Sequence, residues 1–72
     1  MNRENQYEML VEINARVRVL AALSNNEEVV KGTHQIKEVN NESITSLGYS
    51  DATFNSDSIK RYSQLVAGIK KG

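Results

Sequence analysis

Leu10, Ile13, Val17 and Leu20 recur at intervals of three, four and three residues, which puts them on one stripe of an α-helix. Met9, Val11, Val19, Ala21, Ala22 and Leu23 carry apolar surface well beyond that stripe. A helix apolar over so much of its circumference needs more than one packing partner. The pattern therefore predicts a helix over residues 3–23 that is central to whatever the chain builds. Glu12 and Arg16 stand four apart in the favourable order on its wetter side.

The apolar period breaks at Ser24-Asn25-Asn26. Ser24 with Glu27, or Asn25 with Glu28, has the spacing of a capping box, and two acids in the first turn suit the helix dipole. A second helix is expected over about 26–47. The loop before it is so short that the two helices must form an antiparallel αα-hairpin. Val29, Thr33, Ile36, Asn40, Ser43 and Leu47 form its seam, of which Thr33, Asn40 and Ser43 are polar. Those three either lie on a half-buried face or fix register, as a single core Asn does in helical assemblies. Asn40-Asn41 offers a point at which this helix could break in two, and Lys31-Gly32 allows a β-hairpin alternative between Val29 and Val39. Gly48 is a helix stop, with Tyr49 and Ile44 placed as the apolar pair of a Schellman motif.

A third helix is expected over about 56–70. Asn55 serves as its cap, and Phe54 and Ile59 form a hydrophobic staple. Ile59, Tyr62, Val66 and Ile69 give it an apolar face. The expected fold is thus all-α: a three-helix domain, residues 1–72, on a long αα-hairpin.

The 72-residue length limits the chain to one domain, near the size where a single core is barely sufficient. Without cysteine there is neither a disulfide framework nor a thiolate metal site. No apolar run reaches the roughly 18–20 residues of a membrane span, and no export signal opens the chain, so a cytoplasmic location is expected. Nine basic and nine acidic side chains cancel, which removes the charge excess usual for a nucleic-acid binder. Residues 52–72 do hold Lys60, Arg61, Lys70 and Lys71 against Asp57 alone. His34 is the only imidazole, with no H-x-x-x-H or E-x-x-H spacing around it. No paired carboxylates, nucleophile elbow or phosphate loop is present, so neither catalysis nor a cofactor is expected.

The stretch from Leu47 through Gly48, Ser50 and Thr53 resembles the turn of a helix-turn-helix, and is similar to the Gly-Tyr-Ser turn of phage terminase small-subunit DNA-binding domains. The resemblance covers about 15 residues. It implies that Ser50 caps a recognition helix presenting Asp51, Thr53, Asn55 and Lys60 to DNA, with Arg61, Lys70 and Lys71 on phosphates. Two positions depart from the motif: Ile44, where a small residue is usual, and Asp57, where an apolar one is.

A hairpin of 21-residue helices is ~32 Å long, and one shorter helix cannot cover it. The surplus apolar face of the first helix then calls for a two-fold partner. The expectation is a small intracellular adaptor or regulator, homodimeric, that contacts itself or another protein through Leu10, Ile13, Val17, Leu20 and Leu23. A DNA-binding regulator using residues 42–62 is the alternative.

Overall fold

The computed structural model describes residues 2–71, the side chains of residues 70 and 71 excepted. Three α-helices follow one another: α1 (Arg3–Leu23), α2 (Glu27–Leu47) and α3 (Asp51–Lys71). Each begins on a polar side chain that satisfies otherwise orphaned amides. Asn2 Oδ1 accepts from the Asn5 amide at 2.8 Å, and Asn26 Oδ1 accepts from the amides of Glu28 and Val29. Ser50 Oγ accepts from the Thr53 amide at 3.1 Å.

Two of these caps differ from the sequence expectation. Neither capping box forms, because Asn26 takes the cap position of α2 and Ser24 Oγ instead accepts from the Asn26 amide. The third helix begins at Asp51 rather than near residue 56, since Ser50 starts it a full turn earlier. Phe54 therefore lies inside α3, fully buried, and is no staple.

α2 ends as its sequence requires. Gly48 has φ +89°, in the left-handed region, and the Tyr49 and Gly48 amides donate to the carbonyls of Ile44 and Thr45. That is a Schellman closure. α2 runs unbroken through Asn40-Asn41, and no β-hairpin forms at Lys31-Gly32. Asn41 caps no new helix, because the backbone stays helical through it and the neighbouring Asn40 is held in the core by its bond to Asn14.

α1 packs against both other helices, while α2 and α3 touch each other only slightly. The core is thin. Ala15, Ile44 and Phe54, one per helix, are the fully buried apolar residues, and Asn14, Thr33, Asn40 and Ser58 are buried beside them. Asn14 joins all three helices: its Oδ1 accepts from Asn40 Nδ2 at 3.2 Å, and its Nδ2 donates to Ser58 Oγ at 3.0 Å. Thr33 satisfies its hydroxyl on the Val30 carbonyl. The polar seam of α2 is thus buried at Thr33 and Asn40 and half-buried at Ser43.

Candidate functional site

The faces of α1 follow from its two neighbours. Asn14 and Ala15 face inward, and the side that carries Tyr7, Val11 and Glu12 borders α3. The side that carries Met9, Leu10 and Ile13 borders α2, where these residues line a groove with Ser43, Ser46 and Leu47. Leu10 and Val17 are half-buried along this seam, whereas Met9, Ile13 and Leu20 are exposed. The sequence stripe therefore marks the outer face of the hairpin more than the core. On α2, Ile36, Val39 and Ser43 recur at three and four residues, which sets Ile36 and Val39 on the same side as the groove. The Asn14–Asn40 bond fixes the level of the two helices, so Val39 and Ile36 lie across from Ile13, Val17 and Leu20.

The outcome is an apolar stripe over the α1–α2 face away from α3, with Ile13 44% and Val39 60% exposed. Of the five interface residues read from the sequence, Leu10, Ile13, Val17 and Leu20 belong to it. Leu23, at 69% the most exposed large apolar side chain among the described residues, continues its outer edge at the end of α1. Ile36 and Val39 were missed because the seam of α2 contains so many polar residues that its apolar members read as core. The signal available was at Val39, ~100° around the helix from Asn40, which must face inward if it is bonded.

The residues proposed for DNA contact are not brought together. Thr53 and Lys60, seven apart, share the outer side of α3 and are exposed. Asn55 lies ~200° around the helix from Thr53 and is half-buried. Arg61 is committed elsewhere: its Nε donates to Glu12 Oε1 at 2.7 Å and its Nη1 to Gln64 Oε1 at 3.2 Å. Lys70 and Lys71 have side chains outside the described residues. The turn itself forms as the helix-turn-helix resemblance implies, three residues long, with Gly48 and with Ser50 as cap.

Asp57, anomalous in that motif, has a clear physical role. It lies half-buried and accepts a hydrogen bond from the Tyr7 hydroxyl. The Tyr7 ring stacks on Tyr49 with centroids 4.2 Å apart and meets Phe54 edge-on at 6.1 Å. The Arg3 guanidinium lies 4.8 Å from the Tyr49 ring centre, a cation–π contact. This cluster ties the start of α1 to the α2–α3 turn. Burial, with the bond to Asp57 and its negative charge, pushes the Tyr7 phenol well above its ordinary 10.0. Hydrogen bonds from Arg61 and then Arg16 hold Glu12 below its ordinary 4.5.

Both shifts make stability depend on pH. A raised phenol contributes fully below pH 10.0 and loses that contribution as pH climbs towards its folded value. A lowered carboxyl contributes above pH 4.5 and loses that contribution as pH falls through its folded value. Urea midpoints are therefore expected to decline above pH 10, and Tyr7→Phe, which cannot ionise, to flatten that alkaline limb. An unchanged limb in Tyr7→Phe overturns the assignment.

Among the described residues no group of three or more His, Cys, Asp or Glu could hold a metal ion, and His34 is exposed. Nor is any described helix long and apolar enough to cross a membrane. No protein family model, curated protein or solved structure matches the chain.

Proposed function

We propose that this chain is a small non-enzymatic adaptor or regulator that acts through protein–protein contacts, with the α1–α2 stripe as its working surface. The observation that carries this reading is the placement of Met9, Ile13, Leu20, Ile36 and Val39, all exposed, on one continuous side of the hairpin. Singly exposed apolar residues are ordinary, but contiguous patches mark interaction sites. The thin core makes the same point from inside: few large apolar side chains are used to hold the monomer together.

DNA binding is the second reading, favoured by the Gly48–Ser50 turn. Against it stand the neutralised Arg61 and the scattering of Thr53 and Asn55 to different sides of α3. Fluorescence anisotropy of a labelled mixed-sequence duplex separates the two. The expected result is no micromolar binding at ~50 mM or at ~200 mM salt, a range over which phosphate-driven affinity changes by orders of magnitude. Micromolar binding that collapses at the higher salt makes DNA the partner and overturns the adaptor reading.

A further inference from the structure

We infer that the occupant of the α1–α2 stripe is a second copy of this chain, docked about a two-fold axis that runs along the hairpin. This rests on the stripe being an interaction surface, as proposed above. In this arrangement α1 of each copy covers α2 of the other, and α3 stays on the outside of both.

Area is the first argument. The stripe runs from Met9 to Leu20 on α1 and over the matching levels, Ile36 to Leu47, on α2, ~16 Å on each helix. Two helices side by side are ~20 Å wide, so the projected patch, which includes Ser43 and Ser46, is roughly 320 Å², within the ~300–600 Å² of the largest patch on a typical monomer, which is often functional. Along their full 21 residues the paired helices present a face of ~32 Å by ~20 Å, about 640 Å² in projection. A ridged helix surface exposes more area than its projection, which brings it to the scale of the ~800 Å² per partner of a stable interface. The hairpin face is thus on the scale of a standard dimer interface, and the groove on it is lined by described residues of α1 and α2 alone.

Charge sets the axis. The outer edge of α2 holds the row Glu28, Gln35 and Glu42, spaced by seven; Lys31 pairs with Glu28 at 4.0 Å, and no base stands within four residues of Glu42. The outer edge of α1 is the row Met9, Arg16 and Leu23. A two-fold axis across the hairpin lays α2 on α2 and brings acid row against acid row. The axis along the hairpin instead lays the α1 row against the α2 row of the second copy. Arg16, whose Nε donates to Glu12 Oε2 at 2.9 Å and whose side chain is 71% exposed, then stands between the levels of Gln35 and Glu42, ~6 Å along the axis from Glu42, and its terminal guanidinium N–H groups are the ones that would meet that carboxylate. Every neighbouring pair of helices in the resulting four-helix layer is antiparallel, as in up-down bundles.

Sedimentation velocity over a concentration series tests this. The wild type is expected at twice the 8.1 kDa chain mass in the micromolar range. Val39→Glu and Ile13→Asp change exposed side chains, so far-UV circular dichroism is expected to be unchanged while the dimer Kd rises at least tenfold. Ile59→Asp, on exposed α3 surface, serves as the control that leaves Kd unchanged. Arg16→Glu is expected to weaken the dimer severalfold and Arg16→Glu/Glu42→Arg to restore it. No effect of Arg16→Glu overturns the axis.

A dimer indifferent to Val39→Glu and Ile13→Asp overturns the stripe as its interface. A monomer whose stripe binds the apolar dye anilinonaphthalene sulfonate, with binding abolished by Val39→Glu, overturns the second copy and leaves the interaction surface intact. A monomer with no dye binding at the stripe overturns both.

Discussion

Phe54→Ala is expected to unfold the protein at 25 °C. Phe54 is the largest fully buried side chain, is wholly inaccessible, and meets Tyr7 edge-on beneath the Tyr7–Tyr49 stack. Removing a buried Phe costs about 3–5 kcal/mol. A core in a chain of this length rarely supplies more than ~3–5 kcal/mol in total. The two magnitudes are equal, so little helix should remain in the far-UV circular dichroism spectrum. Phe54→Leu keeps most of the volume, is expected to lose under ~1.5 kcal/mol, and should stay folded. A cooperative thermal transition in Phe54→Ala within a few degrees of wild type contradicts this account of the core.

Asn14→Ala should lower stability by about 3 kcal/mol, because two buried partners lose their hydrogen bonds at about 1–3 kcal/mol each. For a domain of this size that corresponds to a midpoint ~12–24 °C lower. The informative companion is the triple substitution Asn14→Leu, Asn40→Leu and Ser58→Ala. With all three polar groups gone, none of them is left to lack a partner, and stability should return to near or above wild type. What the triple variant should lose is uniqueness: apolar helices slide past one another at little cost, whereas Asn14 meets Asn40 and Ser58 at one register only. Broadened side-chain NMR signals in a stable triple variant are the expected result. A loss under about 1 kcal/mol in Asn14→Ala shows that the three groups do not act as a unit.

Much of this architecture is legible in the sequence, and the failures have identifiable causes. Helical period and the Gly48 stop are local properties, and the sequence reading places α1 and α2 almost to the residue. The start of α3 is not settled locally. Ser50 and Asn55 are both good caps, and the choice depends on whether Phe54 is needed before the helix or inside it. Only the tertiary position of Tyr7, which gives Phe54 its pocket and Asp57 its donor, decides that. Asn14 escaped notice because a lone Asn between Ile13 and Ala15 reads as a solvent-facing interruption. Its partners are 26 and 44 residues away, and no periodicity encodes them.

For the candidate surface, the sequence identifies the α1 half and misses the α2 half. Apolar spacing shows that Ile13, Val17 and Leu20 share a side, but not whether that side is covered. Here the inward direction of α1 is set by Asn14 and Ala15, so the more hydrophobic stripe ends up displaced towards the surface. A basic pair such as Lys60-Arg61 is equally ambiguous until Glu12, on another helix, is seen to take the Arg.

Because α2 and α3 meet α1 far more than each other, α1 is the wall against which both are built, and it leaves the ribosome before either. It must wait for the 24 residues from Leu23 to Leu47 before α2 can cover it, about 1–5 s at ordinary elongation rates. It waits nearly as long again for Phe54 and Ser58 to be joined by the rest of α3. Through that interval Asn14 has no amide or hydroxyl to meet, and the apolar side of α1 is open to whatever binds nascent chains. During synthesis α1 therefore passes through a stage as a bare amphipathic helix.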